Sequence, residues 1–184
     1  MTFETAAGIV SSEILEGRLV KVLLNNPEVI KVNNKIEIDN IEYECSYIEL
    51  GNPGLPHAVV KYGLKNAICS ELFKIGRKIR YYAGFPKGAN VNFFEVLDES
   101  TVIIKTYERG VEDITLACGT GAAVTAVASM IKGYIKGNKV KVLVPGGELF
   151  IEVEKNKGKI EKLFLIGTTN IVAVGKVFDE GLIY

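Results

Sequence analysis

Apolar and polar residues alternate in short runs along most of the chain. The pattern holds in segments 5–10 (TAAGIV), 18–24 (RLVKVLL), 35–38 (KIEI), 43–50 (YECSYIEL), 57–62 (HAVVKY), 90–96 (NVNFFEV), 101–108 (TVIIKTYE), 139–144 (KVKVLV), 149–154 (LFIEVE), 162–167 (KLFLIG) and 170–177 (NIVAVGKV). Successive side chains of a strand point to opposite faces, so each run reads as a strand with one buried side. Gly17, Asn25-Asn26-Pro27, Asn33-Asn34, Gly146-Gly147 and segment 155–158 fall between runs and are residue types that favour turns. Together they predict a mostly antiparallel, hairpin-rich sheet. No repeat and no linker divides the chain.

Two segments break the strand rhythm. Over 66–81, apolar Ile68, Leu72, Phe73, Ile75 and Ile79 with charges between them predict an amphipathic outer helix, with Asn66 as its cap. Segment 114–131 (ITLACGTGAAVTAVASMI) carries no charge at all. About 18 apolar residues is the lower limit for a membrane span. Gly119 and Gly121 delay helix formation, however, and leave roughly 12 helical residues, about 18 Å, against a ~30 Å hydrocarbon layer. A short helix that is apolar on every side belongs inside a protein. The predicted fold is therefore α+β: a mostly antiparallel sheet curved around a buried central helix, plus the outer helix.

Charge and composition narrow the function. The chain has 184 residues, 48% hydrophobic and 24% charged, and its 22 basic residues balance 22 acidic ones. That is enough chain for a sizeable core, and the zero net charge points to neither nucleic acid nor a membrane surface as partner. Pairs such as Glu154-Lys155 and Glu161-Lys162 read as a mixed solvated face. The opening MTFETAAGIVSSEILEG lacks a basic region followed by an apolar core, so a cytoplasmic protein is expected. Cys45, Cys69 and Cys118 are odd in number and lack metal-ligand spacing, which favours free thiols. His57 is the one histidine, which argues against a multi-histidine metal site; no metal is expected.

The chemistry gathers at the start of the apolar helix. Tyr107-Glu108-Arg109-Gly110 precedes it and Ala117-Cys118-Gly119-Thr120-Gly121 forms its threshold. A thiol there feels the positive end of the helix dipole, and the glycines let backbone N–H groups approach an anion closely. A small cysteine also packs well at a helix entrance without any chemistry. Glu108 and Arg109 add to the first reading: an arginine grips a carboxylate with two parallel hydrogen bonds and a glutamate holds an ammonium. Thiol, anion nest, cation and carboxylate together describe an amino-acid site.

Two further polar segments suit such a site. GNPGLPH (51–57) sets Asn52 and His57 in a loop entering a strand, and FPKGANVNF (85–93) sets Asn90 at the start of another. Each asparagine alone also fits a turn residue bonding its own backbone, and His57 alone a structural histidine.

The segment YERGVEDITLACGTGAAVTAVA (107–128) closely resembles the second active-site segment of the diaminopimelate epimerase family. GNPGLPHAVV resembles its Gly-Asn-Pro-His segment, FPKGANVNF its Phe-Pro-x-x-x-Asn-Val segment, and FETAAGIV the strand opening its second half. The resemblance covers essentially the whole chain, in order. It implies a cofactor-independent epimerase of a small amino-acid substrate, diaminopimelate, in lysine and cell-wall biosynthesis. There two cysteines face each other across the substrate α-carbon: one withdraws the proton as thiolate and the other delivers one from the opposite face. Cys118 matches the second of these. By the same resemblance Gly119 and Thr120 bind the α-carboxylate, His57 and Glu108 lie near the reacting centre, and Asn52, Asn90 and Arg109 hold the distal end of the substrate.

The sequence departs from the family pattern twice. Gly54-Leu55-Pro56 intervenes where the family runs from Asn-Pro to His, separating His57 from Asn52. The family's N-terminal half, which carries the first catalytic cysteine in a glycine-rich segment, has no counterpart here. The resemblance thus implies a C-terminal-type lobe over 1–176, with 177–184 (VFDEGLIY) matching the strand that completes the other lobe. Cys45 sits in a strand and Cys69 in the outer helix, so neither is expected to replace the first cysteine. The expected partner is the missing N-terminal half, without which the lobe is inactive; a fragment, a truncated gene product and one subunit of a split enzyme all fit. The alternatives are a second copy of the chain, pairing two Cys118 thiols as a homodimeric racemase of another amino acid, and a non-catalytic amino-acid-binding module.

Overall fold

The structure, a computed structural model, describes residues 1–5, 8–176 and 178. Its strands are β1 (Thr2–Thr5), β2 (Gly8–Ile14), β3 (Leu19–Leu24), β4 (Pro27–Ile38), β5 (Ile41–Leu50), β6 (Leu55–Lys61), β7 (Asn90–Val96), β8 (Thr101–Glu108), β9 (Asp113–Thr115), β10 (Lys139–Val144), β11 (Gly147–Asn156) and β12 (Lys159–Thr168). The helices are α1 (Cys69–Arg80) and α2 (Gly119–Ile131). All the strands join one sheet in the order β1-β2-β3-β12-β11-β10-β8-β7-β6-β5-β4, with β9 paired to β8. Most pairings are antiparallel; β6 with β7 and β8 with β10 are parallel, each pair spanned by a helical crossover.

The sheet wraps around α2, which touches β4 to β8 and β10 to β12. Helix α2 is buried from Gly121 to Met130, and its alanines let the strands approach on every side. Ile48, Val59, Phe94, Ile104, Val140, Ile151 and Leu163 pack against it as one core. Burial of each such side chain contributes roughly 1.5–3 kcal/mol. Alternate residues of the same strands, among them Cys45, Val60, Phe93 and Tyr107, face the other way and pack with Leu72 and Ile79 of α1. The amphipathic helix thus closes the outer side of the sheet, and the uncharged one fills its inside. Lys162 pairs with Glu154 at 3.0 Å across β11 and β12, the mixed-charge surface read from the sequence.

The structure corrects four details. Helix α1 is capped at Ile68, without a side-chain bond, because residues 64–67 still form a turn and Asn66 lies outside the helix. Asn33-Asn34 lies inside β4, where a register shift between Lys31 and Asn34 absorbs it; the turn falls at Asp39-Asn40, both with positive φ. Pro27 opens β4 instead of closing a turn. Residues 170–176, within the segment 170–177 read as a strand, join no strand among the described residues, and Ile171, Val172 and Val174 are each at least 90% exposed. Alternation without a neighbouring ladder leaves backbone groups in water. The expected returning strand at 177–184 lies outside the described residues except for Phe178. Among the described residues no helix is long and apolar enough to cross a membrane.

Candidate active site at the entrance to the buried helix

The sheet register assembles the polar residues. Strand β6 runs parallel to β7 with His57 opposite Asn90 and Val59 opposite Asn92, and β7 runs antiparallel to β8 with Asn92 opposite Thr106. Cross-strand partners share a face, and Val59, Phe94 and Ile104 on this face pack against α2. His57, Asn92 and Thr106 therefore stand in the inner layer, polar residues in an otherwise apolar wall beside the first turn of α2. The expected loop before His57 is only four residues, 51–54, because Leu55 and Pro56 already belong to β6.

Cys118 is the N-cap of α2 and is 7% exposed. Its Sγ accepts the N–H of Gly121 at 3.4 Å and lies 3.5 Å from Thr120 Oγ1. Burial pushes the thiol above its ordinary range, while the Thr120 hydroxyl and the Gly121 N–H pull it back and the charge of Glu108 raises it further. The helix N-terminus alone suggests a thiolate; burial wins, and the resting group is a thiol. Gly119 and Thr120 open the helix, where backbone N–H groups lack carbonyl partners one turn back. A side chain on Gly121 would run into Asn92 and sit 3.2 Å from Cys118 Sγ, so this glycine is what lets helix, thiol and strand meet.

His57 is 0% exposed. Burial, with the positive charge of Arg109, lowers its pKa to about 3, so the imidazole is neutral. Its Nδ1 lies 3.1 Å from Asn92 Nδ2, and its buried Nε2 has no hydrogen-bond partner among the described residues. Asn92 also donates to the Ala58 carbonyl at 3.3 Å and accepts from Thr106 Oγ1 at 2.9 Å.

Asn90 and Arg109 form a second knot. Asn90 Oδ1 accepts the backbone N–H of Arg109 at 2.8 Å, and the Arg109 guanidinium donates to the Lys87 carbonyl at 3.0 Å. Beneath it, Glu49 is buried and accepts from Tyr47 Oη at 2.6 Å and Lys87 Nζ at 2.9 Å, bonds that hold its carboxyl below the usual range. Glu108 ends β8, half-buried, where its carbonyl accepts from Glu112 N–H at 2.7 Å.

The structure thus brings Cys118, Thr120, Glu108, His57, Asn90 and Arg109 to one end of the sheet. Asn52 is exposed in the 51–54 turn, joined to Pro53 by a cis peptide bond, outside the hydrogen-bonded cluster. Cys45 is buried among the residues facing α1, with its thiol pushed up to about 12 by burial. Cys69 is exposed beside a cavity of about 600 Å³ lined by Phe73, Lys105 and Asp113, on the α1 side. All three cysteines are free. Among the described residues no three His, Cys, Asp or Glu side chains converge to hold a metal. The sequence reading missed Asn92, Thr106 and Glu49. The signal for Asn92 was its position two residues after Asn90 in one strand, which puts both on one face.

Comparison with known proteins fits this geometry. Residues 50–172 match the family model described as diaminopimelate epimerase. The chain is 40% identical to the diaminopimelate epimerase of Aquifex aeolicus (strain VF5) over 186 residues, 99% of this chain and 63% of that protein. It therefore spans less than two thirds of the length of that relative. In fold it is similar to methylitaconate-delta-isomerase (TM-score 0.64, 14% identity, 89% of this chain and 61% of the other). It is also similar to a hydroxyproline epimerase from Agrobacterium vitis with bound trans-4-hydroxy-L-proline (TM-score 0.62, 16% identity, 92% and 58%).

Proposed function

The chain belongs to the diaminopimelate epimerase family, and on that premise we propose that it is the C-terminal-type lobe of a cofactor-independent epimerase acting at the α-carbon of diaminopimelate. The observation that carries the reading is Cys118: a buried thiol capping the buried helix, with Thr120 and the charge of Glu108 beside it and the neutral His57 linked to the same helix turn through Asn92.

The chemistry is a proton exchange between two thiols. One thiolate removes the α-proton as a thiol on the opposite face delivers another, leaving the substrate inverted and the two sulfurs with exchanged protonation. Cys118, protonated at rest, is the donor in one direction and the acceptor in the other. The N–H groups of Gly119 and Thr120 hold the α-carboxylate, where the helix dipole and a dry pocket stabilise charge spreading from the carbanion. Glu108 takes the α-ammonium, and Asn52, Asn90 and Arg109 the distal carboxylate and amine.

Cys45 and Cys69 lie away from Cys118, so the second thiol comes from a separate polypeptide segment, and the lobe alone does not turn over. Deuterium incorporation at the α-carbon in heavy water, under reducing conditions, tests this. The chain alone should give none, and mixing it with a family N-terminal half should restore incorporation that Cys118→Ala abolishes. Incorporation by the chain alone, lost in Cys118→Ala, would instead support pairing of two copies. Incorporation by the mixture that survives Cys118→Ala would overturn the assignment of Cys118.

A further inference from the structure

We infer that Asn92 is a positioning residue that fixes His57 as its Nε2–H tautomer, so that the chain's one imidazole enters the site as a neutral hydrogen-bond donor. The place of that donor in catalysis rests on the proposed epimerase function; the tautomer itself does not.

The hydrogen bonds leave one consistent arrangement. The amide of Asn92 faces three groups: the Ala58 carbonyl at 3.3 Å, Thr106 Oγ1 at 2.9 Å and His57 Nδ1 at 3.1 Å. A backbone carbonyl can only accept, so the nitrogen of the amide points to Ala58 and the oxygen to Thr106, whose hydroxyl rotates to donate. The same Nδ2 then directs its second N–H at His57 Nδ1. That ring nitrogen must supply a lone pair, and in a neutral imidazole the proton consequently resides on Nε2.

The Nε2–H so fixed is buried and has no partner among the described residues. Buried donors are almost always paired, and one left over at a site calls for a cause such as a catalytic role or a bound water or ion. Asn92 is itself held on both sides. Thr106 anchors its oxygen, and Gly121, lacking a Cβ, lets that oxygen lie against the first turn of α2. Strand β8, strand β7 and the helix carrying Cys118 thereby share one amide, and the imidazole is set relative to the thiol through it. Burial and Arg109 keep the ring from becoming an imidazolium, which would donate from both nitrogens and repel the Asn92 N–H.

With one histidine in the chain, nitrogen-15 spectra give a single pair of ring signals. We expect the chain, labelled at histidine and observed at neutral pH without substrate, to show a pyridine-type Nδ1 and a pyrrole-type Nε2. Asn92→Asp places an acceptor opposite Nδ1 and should turn that nitrogen pyrrole-type. Thr106→Val, which leaves the amide in place but frees its oxygen, should give a mixture of tautomers. A pyrrole-type Nδ1 or a tautomer average in the unmodified chain overturns the proposal, as does an Asn92→Asp variant with unchanged signals. The spectrum does not depend on turnover: failed α-proton exchange counts against the epimerase reading, and a wrong tautomer counts against this one.

Discussion

The backbone N–H of Gly121 donates to the sulfur of Cys118 at 3.4 Å, closing the first turn of α2 onto its own cap. The bond favours thiolate, burial disfavours it, and burial prevails. Alkylation should read that balance directly, because thiolate is the reacting species and each unit of pKa is worth about tenfold in its population. With iodoacetamide near neutral pH and peptide mass mapping, exposed Cys69 should react first. Cys118 should follow more slowly, and Cys45, pushed up to about 12, last of all. Thr120→Val, which removes a hydroxyl that favours the thiolate, should slow Cys118 further. Faster reaction at Cys118 than at Cys69 would contradict the buried-thiol picture.

Gly121 and Gly119 separate geometric need from helix propensity. A Cβ on Gly121 meets Asn92, itself fixed by hydrogen bonds, and Cys118 Sγ at 3.2 Å. A Cβ on Gly119 meets only the end of the Leu165 side chain at 2.7 Å, which can rotate. Alanine generally favours a helix, so Gly119→Ala should be close to neutral, while Gly121→Ala should cost about 1–3 kcal/mol from overpacking. Urea midpoints of the two variants check the order; equal midpoints would mean that Asn92 moves freely.

Much of this was legible in the sequence, for reasons the structure makes plain. Strands β8 and β10 fall where the alternation places them because their fully buried positions recur at every second residue over most of each strand, so burial and period agree; β7 is covered by α2 on one face and α1 on the other. The uncharged stretch predicted α2 because only an interior tolerates it. Alternation misled at 170–176, whose apolar side chains are exposed among the described residues, and at Asn33-Asn34, where a strand irregularity takes residues that usually turn. Cys118, Glu108, Arg109 and Asn90 were singled out through local spacing and family resemblance. Asn92 and Thr106 escaped because each is an ordinary strand residue until the register sets them opposite each other beside His57. Contacts between distant segments are not written in either segment alone.

Glu49 supports the Arg109 side of the site from below. Its carboxylate holds Tyr47 and Lys87, and the Lys87 carbonyl holds Arg109. Glu49→Ala leaves the buried Tyr47 hydroxyl without its acceptor and should cost about 1–3 kcal/mol. Lys87→Ala removes a side chain that is 57% exposed and keeps the Glu49–Tyr47 bond, so less than about 1 kcal/mol is expected. Denaturation of both variants tests this. A larger loss for Lys87→Ala would show that the ion pair, and not the buried hydroxyl, holds the loop.

His57 should also set the acid side of the stability profile. Its folded pKa of about 3 lies below the ordinary 6.5, so the unfolded chain binds a proton that the folded chain refuses. Stability is then level above about pH 6.5 and falls as pH drops from there towards 3, by up to about 1.4 kcal/mol per pH unit. Other groups act outside the upper part of that window. Glu44, Glu49 and Glu112 have lowered folded pKa values, so their contributions persist above the ordinary carboxylate range and are lost only below it. Cys45 and Cys118 have raised values, so their effect appears only when unfolded thiols ionise, in the alkaline range. Between roughly pH 5 and 6.5 the slope therefore belongs to the single imidazole. Urea midpoints at pH 7, 6 and 5 should fall in the unmodified chain and stay nearly level in His57→Gln. An equal slope in the two proteins would show that the folded imidazole is protonated as readily as the unfolded one, and the neutral donor at the site would have to be abandoned.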